Sequence, residues 1–499
     1  MKKTLFFAAA AIAMLASCSQ NDLEAPVVAQ AQQGDAIEFG TYTGQSAQTR
    51  TIASGTAGAI TTDELLQGKG FGVFAYYTGA NTYNQKNGAY NAAGKIAPNF
   101  MWNQRVTYTT SWGYTPVKYW PNDVQNGAVD DQDNHASNNQ ATGDGTNGGN
   151  LTFFAYAPYV ASNNAASGTI SSTPDEGITG FSTNTTTGDP TITYVVPASG
   201  SDIVDLLWGT RGTTSTNVNG AGNAGVTTTA TSYVAAPVEN RSTWMEDIAY
   251  NYTMNADLTK QKTDGVVDFA FKHALAKFGG FQGLKIITDV NNGTAVSGGN
   301  LDNNKDRVTV KSINIVARAK NTANTKYYAT QAGTFNLATG KWTITGTEQV
   351  SAPTGTSFSI PVAMMNTAIA EPASVTTWDN VSGITGVPSS GAVNVYANLA
   401  AETQPVVFIP GTKPELTVTV DYVVRTNDTN LSVGYSEVEQ VITKKITFAN
   451  AVELNKYYTL IIHLGLEDIN FTASVGDWVN SGASETDVYL PINVAPVTP

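Results

Sequence analysis

The stretch LTVTVDYVV, residues 416–424, alternates between two faces and decides the fold class. One face carries only apolar or aromatic side chains: Leu416, Val418, Val420, Tyr422 and Val424. A period of two residues is typical of a β-strand that buries one face in a core. The same period recurs in VVDFAFKHALAKF, residues 266–278, and in YYTLIIHLGL, residues 457–466. The sequence therefore predicts an all-β protein built from packed sheets.

The composition agrees with this fold class and limits the functions that the chain can have. Hydrophobic residues make up 41% of the 499 residues and charged residues only 13%. This hydrophobic content is enough for folded cores and argues against global disorder. The net charge of −13 leaves no basic surface to neutralise phosphates, which argues against a nucleic-acid partner.

The order of strand patterns predicts two β-sandwich domains in tandem, residues 51–262 and 263–499. Long polar loops are expected where Gly, Asn, Thr and Ser predominate, at 126–150, 161–191 and 210–232. These loops would lie on the surface, where they can vary without disturbing a core.

Smaller features are also predicted along the chain. A few short helices are expected, one of them in TTDELLQGKG at 61–70, where Thr61 and Glu64 have capping-box spacing. GTFNLATGKWTIT at 333–345 predicts a hairpin. The change of phase near Lys311 and Ser312 predicts a β-bulge.

Two aromatic segments, GFGVFAYYTG at 70–79 and LTFFAYAPYV at 151–160, are interpreted as neighbouring core strands of one sheet. The segment between them, residues 99–123, is dense in Trp and Tyr. Such density fits either a platform for stacking sugars or a hairpin that buries its rings. The buried hairpin is favoured, because aromatic side chains commonly fill β cores and pair across strands.

The first eighteen residues have the pattern of a bacterial lipoprotein signal. Lys2 and Lys3 precede the apolar run TLFFAAAAIAML, which is short for a membrane span. LASC, which ends at Cys18, resembles a lipobox. In a lipobox the sulfur of the cysteine carries a lipid, and a signal peptidase cleaves the chain just before that cysteine. Residues 1–17 are therefore predicted to be a signal peptide and Cys18 the lipidation site. An ordinary secretory signal with an incidental cysteine is the alternative.

A strand and an arginine follow the predicted lipid anchor. AIEFGTYT at 36–43 alternates, with Ile37 and Phe39 on one face, and predicts a first strand. Arg50 comes next, in the polar stretch TGQSAQTRTIAS, and no other arginine occurs before Arg105. The small and polar residues around Arg50 favour access by a protease. A loop arginine with no role is the alternative.

No residue pattern indicates catalysis. The chain has three histidines and a single cysteine, with neither an HExxH nor a GxSxG motif and no zinc spacing. His273 is interpreted as a hydrogen-bonded core residue. Asp302, Asn304 and Asp306 alternate as in a calcium loop, but the required glycine and final glutamate are missing. We therefore predict no enzyme, no cofactor and no metal site.

An ordered set of motifs resembles the fimbrillin proteins of type V pili. The set comprises the lipobox, EFGTYTG followed by TRT, GFGVFAYYT, PVKYWPN, LTFFAYAPY, DLLWGT, FKHALAKF and YYTLIIHLGL. The resemblance implies transthyretin-like β-sandwiches and export to the cell surface as an outer-membrane lipoprotein. It further implies cleavage after Arg50 by an arginine-specific protease, with Thr51 as the new N-terminus. Residues 18–50, including the strand with Ile37 and Phe39, would be removed on maturation.

Removal of that strand would open an apolar groove that a strand of another subunit could fill. The C-terminal segment ETDVYLPINVAPVTP, residues 485–499, is the candidate donor. Its alternating face consists of Val488, Leu490, Ile492 and Val494. Pro491 complicates this interpretation because a proline cannot donate a ladder hydrogen bond. A final edge strand with a loose tail is the alternative.

Two functions follow as hypotheses. In the first, the chain is a fimbrial subunit that polymerises by donor-strand exchange and supports adhesion, with other subunits and a host protein or glycan as partners. In the second, it is a permanently lipid-anchored lipoprotein, either glycan-binding or an anchor or tip subunit. The glycan-binding form of the second hypothesis requires Trp102, Trp112, Tyr119 and Trp120 to be exposed in a cleft.

Overall fold

The structure is a computed structural model of the chain. It describes residues 36–42, 69–79, 81–87, 94–121, 149–170, 177–197, 205–211, 255–258, 263, 265–279, 283–288, 301–302, 305–382, 391–398, 406–466, 468–477, 488–489 and 492–496. Within these ranges no helix has the length and hydrophobicity needed to cross a membrane.

The described residues are nearly all in β-strands. The strands up to residue 278 are β1 (Glu38–Tyr42), β2 (Phe71–Gly79), β3 (Met101–Tyr108), β4 (Trp112–Gly113), β5 (Asn150–Ala157), β6 (Ser162–Asn164), β7 (Thr169–Ile170), β8 (Ile178–Phe181), β9 (Thr191–Val195), β10 (Leu207–Arg211), β11 (Asn255–Leu258), β12 (Val266–His273) and β13 (Ala276–Phe278).

The later strands are β14 (Leu284–Thr288), β15 (Asp306–Lys320), β16 (Tyr327–Tyr328), β17 (Ala332–Asn336), β18 (Lys341–Ile344), β19 (Glu348–Gln349), β20 (Thr356–Pro361), β21 (Val393–Asn394), β22 (Val406–Phe408), β23 (Lys413–Asn427), β24 (Tyr435–Phe448), β25 (Lys456–Leu464), β26 (Ile469–Asp477), β27 (Val488–Tyr489) and β28 (Ile492–Pro496). The helices are α1 (Tyr83–Asn87), α2 (Trp378–Ser382) and a 3-10 turn at Val362–Met364. The predicted all-β class is confirmed.

A central sheet in the order β1-β12-β10-β5-β2-β3-β4 organises the first half of the chain, with β11 also on β5. Every residue of β5 is buried, and β2 is buried over most of its length. Both faces of this sheet are therefore covered, which explains why the two segments read as continuous apolar runs. β2 pairs with β5, as predicted.

A second sheet, in the order β18-β17-β9-β8-β7-β6, contributes to a core shared with one face of the central sheet. The predicted hairpin forms β17 and β18, and β17 pairs with β9 of the first half of the chain. The indole N–H of Trp342 donates to the carbonyl of Ala274 at 2.7 Å, and that of Trp208 donates to Leu337 at 2.8 Å. The two halves of the chain therefore interlock at this core.

The expectation of a surface loop at 161–191 was wrong. This stretch forms β6, β7 and β8 and enters β9. Ile178 and Phe181 are buried and supply apolar contacts to the core. These two residues are isolated in a polar stretch, so the composition alone predicted a loop. The other two predicted loops and the helix predicted at 61–70 lie almost wholly outside the described residues.

A sandwich of two further sheets forms the C-terminal core. One sheet runs β19-β16-β15-β23-β24-β28, with β20 on β15, and the other is built around β25. The five predicted inward residues of 416–424 are all buried. The register of β15 against β23 shifts between Val310 and Ser312, which confirms the predicted bulge. The domain limits at 51–262 and 263–499 stay a prediction.

Candidate functional site

The first strand, β1, runs parallel to β12 along the edge of the central sheet. Phe39 lies opposite Val267, and the register continues without a shift from Glu38 to Tyr42. Glu38 N–H donates to the carbonyl of Gly265 at 3.1 Å. β1 is thus a regular member of the sheet, as its alternation predicted.

The inward side chains of this segment enter a deep apolar groove. Ile37 is 1% exposed and Phe39 is 5% exposed. The Phe39 ring lies 5.2–6.2 Å, centroid to centroid, from four other rings, which belong to Phe71, Tyr114, Phe153 and Phe269. Burying Ile37 and Phe39 contributes about 1.5–3 kcal/mol each to stability.

The outer wall of the groove is the segment 114–120. Ile37 N–H donates to the carbonyl of Lys118 at 2.9 Å, and Ala36 forms an antiparallel bridge with Tyr119. The Tyr114 hydroxyl lies 3.0 Å from the carbonyl oxygen of Ile37 and accepts from Lys118 N–H at 3.2 Å. Burial raises the pKa of the Tyr114 phenol above its usual value. The chain leading into β1 is therefore held on both sides, by β12 and by this wall.

Gly40 of β1 lies directly beside the Asp268 side chain of β12. A Cβ atom at Gly40 would lie 2.0 Å from Oδ1 of Asp268, so the Asp268 side chain would have to move. If β1 were absent, the edge of β12 from Val266 to Ala270 would lose its ladder and the aromatic pocket of Phe39 would open. Such an edge is a site for addition of another strand.

The C-terminal segment is arranged differently from β1. Val488 and Tyr489 pair with β26 in one sheet of the C-terminal sandwich, whereas β28 pairs with β24 in the other. Val494 is half-buried against the core, and Asn493 and Ala495 are exposed. The predicted donor face is thus divided between two short strands in the monomer.

Several predicted site residues lie outside the described residues: Cys18, Arg50, Thr51 and Leu490. Their roles in lipidation, proteolysis and donation stay predictions. Ile37 and Phe39 are placed together in the groove, and Val488, Ile492 and Val494 are placed at strand edges of the C-terminal sandwich.

The aromatic segment at 99–123 does not form a cleft of exposed rings. Trp120 is 4% exposed, and its indole N–H donates to the carbonyl of Gly265 at 3.1 Å. Trp102 donates to Ser182 at 2.9 Å, and Trp112 packs edge-on against Phe71. Tyr119 is the exception, at 37% exposure. The interpretation as a buried hairpin is confirmed, with β3 and β4 as its strands.

Sequence reasoning missed the wall residues Tyr114 and Lys118 as partners of the first strand. The aromatic density of their segment indicated burial, but a local pattern does not specify a contact between residues as far apart in the chain as Ile37 and Tyr114, which are separated by 77 positions. The available signal was the PVKYWPN motif, which contains Lys118 and follows Tyr114 closely.

The most enzyme-like cluster is a buried contact between a histidine and an aspartate. The Nδ1 atom of His273 contacts a carboxylate oxygen of Asp205, and both residues are buried. Burial raises the pKa of Asp205, and the adjacent His273 opposes that shift. The backbone N–H of His273 donates to Oδ1 of Asn455 at 3.2 Å, which ties this strand to a distant part of the chain. The predicted core role of His273 is confirmed. Over the described ranges, no cluster of three His, Cys, Asp or Glu side chains is suited to holding a metal ion.

Comparison with known proteins adds sequence and fold similarity. The chain is 27% identical over 283 residues to fimbrium subunit Fim1C of Phocaeicola vulgatus, covering 56% of this chain and 50% of that protein. It therefore spans about half the length of this curated relative. No protein-family model matches the chain.

A crystal structure of a fimbrial protein from Bacteroides vulgatus shares the fold, with a TM-score of 0.52 at 19% identity, covering 89% of this chain and 99% of that one. A candidate cell adhesion protein from Bacteroides ovatus aligns less well, with a TM-score of 0.33 at 14% identity over 90% of this chain and 99% of its own. The fold defines the class of the protein: it is all-β, and the inward side chains of its first strand are buried in the sheet's apolar groove. The sequence similarity and the shared fold support a fimbrillin-family protein, as the ordered motifs predicted.

Proposed function

We propose that the chain is a structural subunit of a fimbrium and polymerises by donor-strand exchange after cleavage at Arg50. In this mechanism the precursor reaches the outer surface as a lipoprotein anchored through Cys18. Proteolysis creates Thr51 as the new N-terminus and releases the anchor together with β1. The resulting fibre supports surface adhesion, and its partners are other copies of the chain or related pilus subunits.

The observation that carries this proposal is the burial of Phe39 between β12 and the wall at 114–120. Loss of β1 would leave an apolar groove beside an unpaired strand edge. Burial of such a groove by a strand of a neighbouring copy would restore both the apolar contacts and the ladder. Because donor and acceptor lie on different parts of the subunit, the contact is head-to-tail and gives an open fibre.

The arrangement of the C-terminal segment is compatible with a donor role. Among the described strands β28 pairs with β24 alone, and its exposed residues Asn493 and Ala495 flank half-buried Val494. Donation would require 488–494 to leave both sheets and to extend as one strand. Pro491 would cost one ladder hydrogen bond in the new position.

The direct test is an Arg50→Ala substitution in cells that assemble the fimbrium. We expect the variant to keep residues 18–50 and to form no fibres by electron microscopy. Arg50→Lys tests whether the protease requires arginine rather than a positive charge. Arg105→Ala is the matched control, because Arg105 is an exposed arginine on β3 and its loss should leave assembly intact.

Normal fibres from the Arg50→Ala chain would contradict the mechanism. A permanently lipid-anchored subunit that keeps β1 would then be the better account. A glycan-binding lipoprotein is less well supported, because three of the four tryptophan and tyrosine rings that it needs are packed against the protein.

A further inference from the structure

Within the described ranges, β24 has a long edge to which no strand is paired. β23 pairs with β24 from Tyr435 to Thr447 without a register shift. On the other side, the described part of β28 pairs with β24 from Phe448 to Lys444, which lies opposite Pro496. Residues 435–443 therefore offer a straight edge about 30 Å long to a further strand.

Glu437 and Glu439 are charged side chains of the kind that protects an edge strand, but both are engaged within the subunit, and exposed valines lie beside them. Val438 is 53% exposed and Val441 is 62% exposed. Glu437 is held by Arg425 at 3.0 Å, and Glu439 by Lys311 at 2.7 Å, so both carboxylates are already paired within the subunit. No proline or bulge interrupts residues 435–443. Natural edges of this length are normally blocked by such devices.

We propose that residues 437–443 of β24 bind the same edge of a second copy of this chain. The two strands are antiparallel and related by a twofold axis at Gln440, so the sheet continues from one copy into the other. This contact is separate from the head-to-tail contact of the proposed function and does not require cleavage at Arg50.

The sequence of the edge selects this register. With the axis at Gln440, Val438 lies opposite Ile442 of the second copy, and Glu439 lies opposite its Val441. Glu437 lies opposite Thr443 and diagonal to Lys445 of the second copy, which brings opposite charges within reach, although Lys445 also contacts Glu415 of its own subunit at 3.3 Å. The two Glu439 carboxylates lie diagonal to each other, and the ion pair of each with Lys311 of its own subunit offsets their repulsion. An axis at Glu439 would instead set two like charges against each other, which destabilises a strand pair.

The size of the contact indicates a weak association of single subunits. One short strand pair buries less surface than a standard stable interface. If the proposed fibre forms, the same edge repeats along it and many weak contacts can engage together. The contact would then hold fibres side by side.

The test is disulfide trapping at the axis in the uncleaved full chain, with Cys18 changed to Ser. Gln440→Cys places two cysteines opposite each other, at the Cα separation that a disulfide needs. Ser436→Cys is the matched control on the same strand, because its two copies would lie about 27 Å apart. We expect a disulfide-linked dimer as the main oxidised product of Gln440→Cys and only a minor product from Ser436→Cys.

A second substitution separates specific pairing from random collision. Val438→Lys, added to Gln440→Cys, places a charge opposite Ile442 and should remove most of the trapped dimer. Asn314→Lys is the control, because Asn314 is exposed on β15, away from the edge. Circular dichroism and thermal unfolding establish that each variant is folded. Equal trapping at 440 and 436, or no effect of Val438→Lys in a folded protein, would overturn the proposal and leave the donor-strand mechanism untouched.

Discussion

The first and last strands of the described chain have the same length but are held in different ways. β1 has a parallel partner on one side, and Ile37 just before it is fixed to the wall at 114–120 on the other. Phe39 is buried in the ring cluster. β28 has one antiparallel partner, and of its described side chains only Val494 packs against a core.

This difference shows how one chain could supply both halves of a polymer contact. A strand that fills a deep groove leaves a strong binding site when proteolysis removes it. A strand that is only paired at an edge loses little when it moves to a new partner. The following predictions test this contrast, from the largest expected effect to the smallest.

The largest effect is expected from removing each end in turn. A chain that begins at Thr51 should expose the groove, bind a hydrophobic dye and self-associate, whereas a chain that ends at residue 487 should stay folded and bind no dye, because β1 still fills the groove. Adding a peptide of residues 36–43 to the chain that begins at Thr51 should fill its groove and reduce dye binding and self-association. The same peptide with Phe39→Ala should have little effect. Dye fluorescence and light scattering measure both outcomes.

A single substitution in the groove should be strongly destabilising. Phe39→Ala removes the ring that contacts four others and leaves a cavity, so we expect the free energy of unfolding to fall by about 3–5 kcal/mol. Denaturant titration measures the change. A loss below about 1 kcal/mol would show that the groove collapses easily around the gap.

The hydroxyl on the groove wall should contribute a smaller and pH-dependent amount. Tyr114→Phe removes the contact with the carbonyl of Ile37 and should cost about 0.5–1.5 kcal/mol. Burial raises the pKa of Tyr114 above 10.0 in the folded state. The contribution is therefore complete below pH 10 and is lost as the pH rises through the folded-state pKa.

Other buried tyrosines also titrate at alkaline pH and change the stability of both proteins. The quantity to compare is therefore the difference in unfolding free energy between wild type and Tyr114→Phe at each pH. The stability gap between wild type and Tyr114→Phe should close at alkaline pH. A gap that stays constant from neutral to alkaline pH would contradict a role for the protonated hydroxyl.

The smallest effect is expected at the other end of the chain. Val494→Ala removes two methyl groups from a half-buried side chain on an edge strand, so the expected loss is about 1 kcal/mol or less. Denaturant titration beside Phe39→Ala gives the comparison directly. A loss as large as that of Phe39→Ala would mean that β28 is not weakly held.

The sequence predicted most local features, because alternation reports which face of a strand is buried. The five apolar positions of 416–424, the bulge at Ser312 and the pairing of β2 with β5 were all predictable from such patterns. The first strand with Ile37 and Phe39 inward was predicted in the same way.

Apart from the pairing of β2 with β5, the partners of those elements could not be predicted, since a period of two fixes a face but not a neighbour. The parallel pairing of β1 with β12, the wall formed by Tyr114 and the addition of β17 to β9 all join distant parts of the chain. The strands at 162–181 were missed because Ile178 and Phe181 are isolated apolar residues in a polar stretch.

The measurement that tests the central claim most directly is the N-terminal sequence of the protein recovered from the cell surface. The account predicts a start at Thr51, which means that the anchor and β1 have been removed and the groove is available to another subunit. A lipidated Cys18 on every copy would contradict the account, because β1 would then still fill the groove.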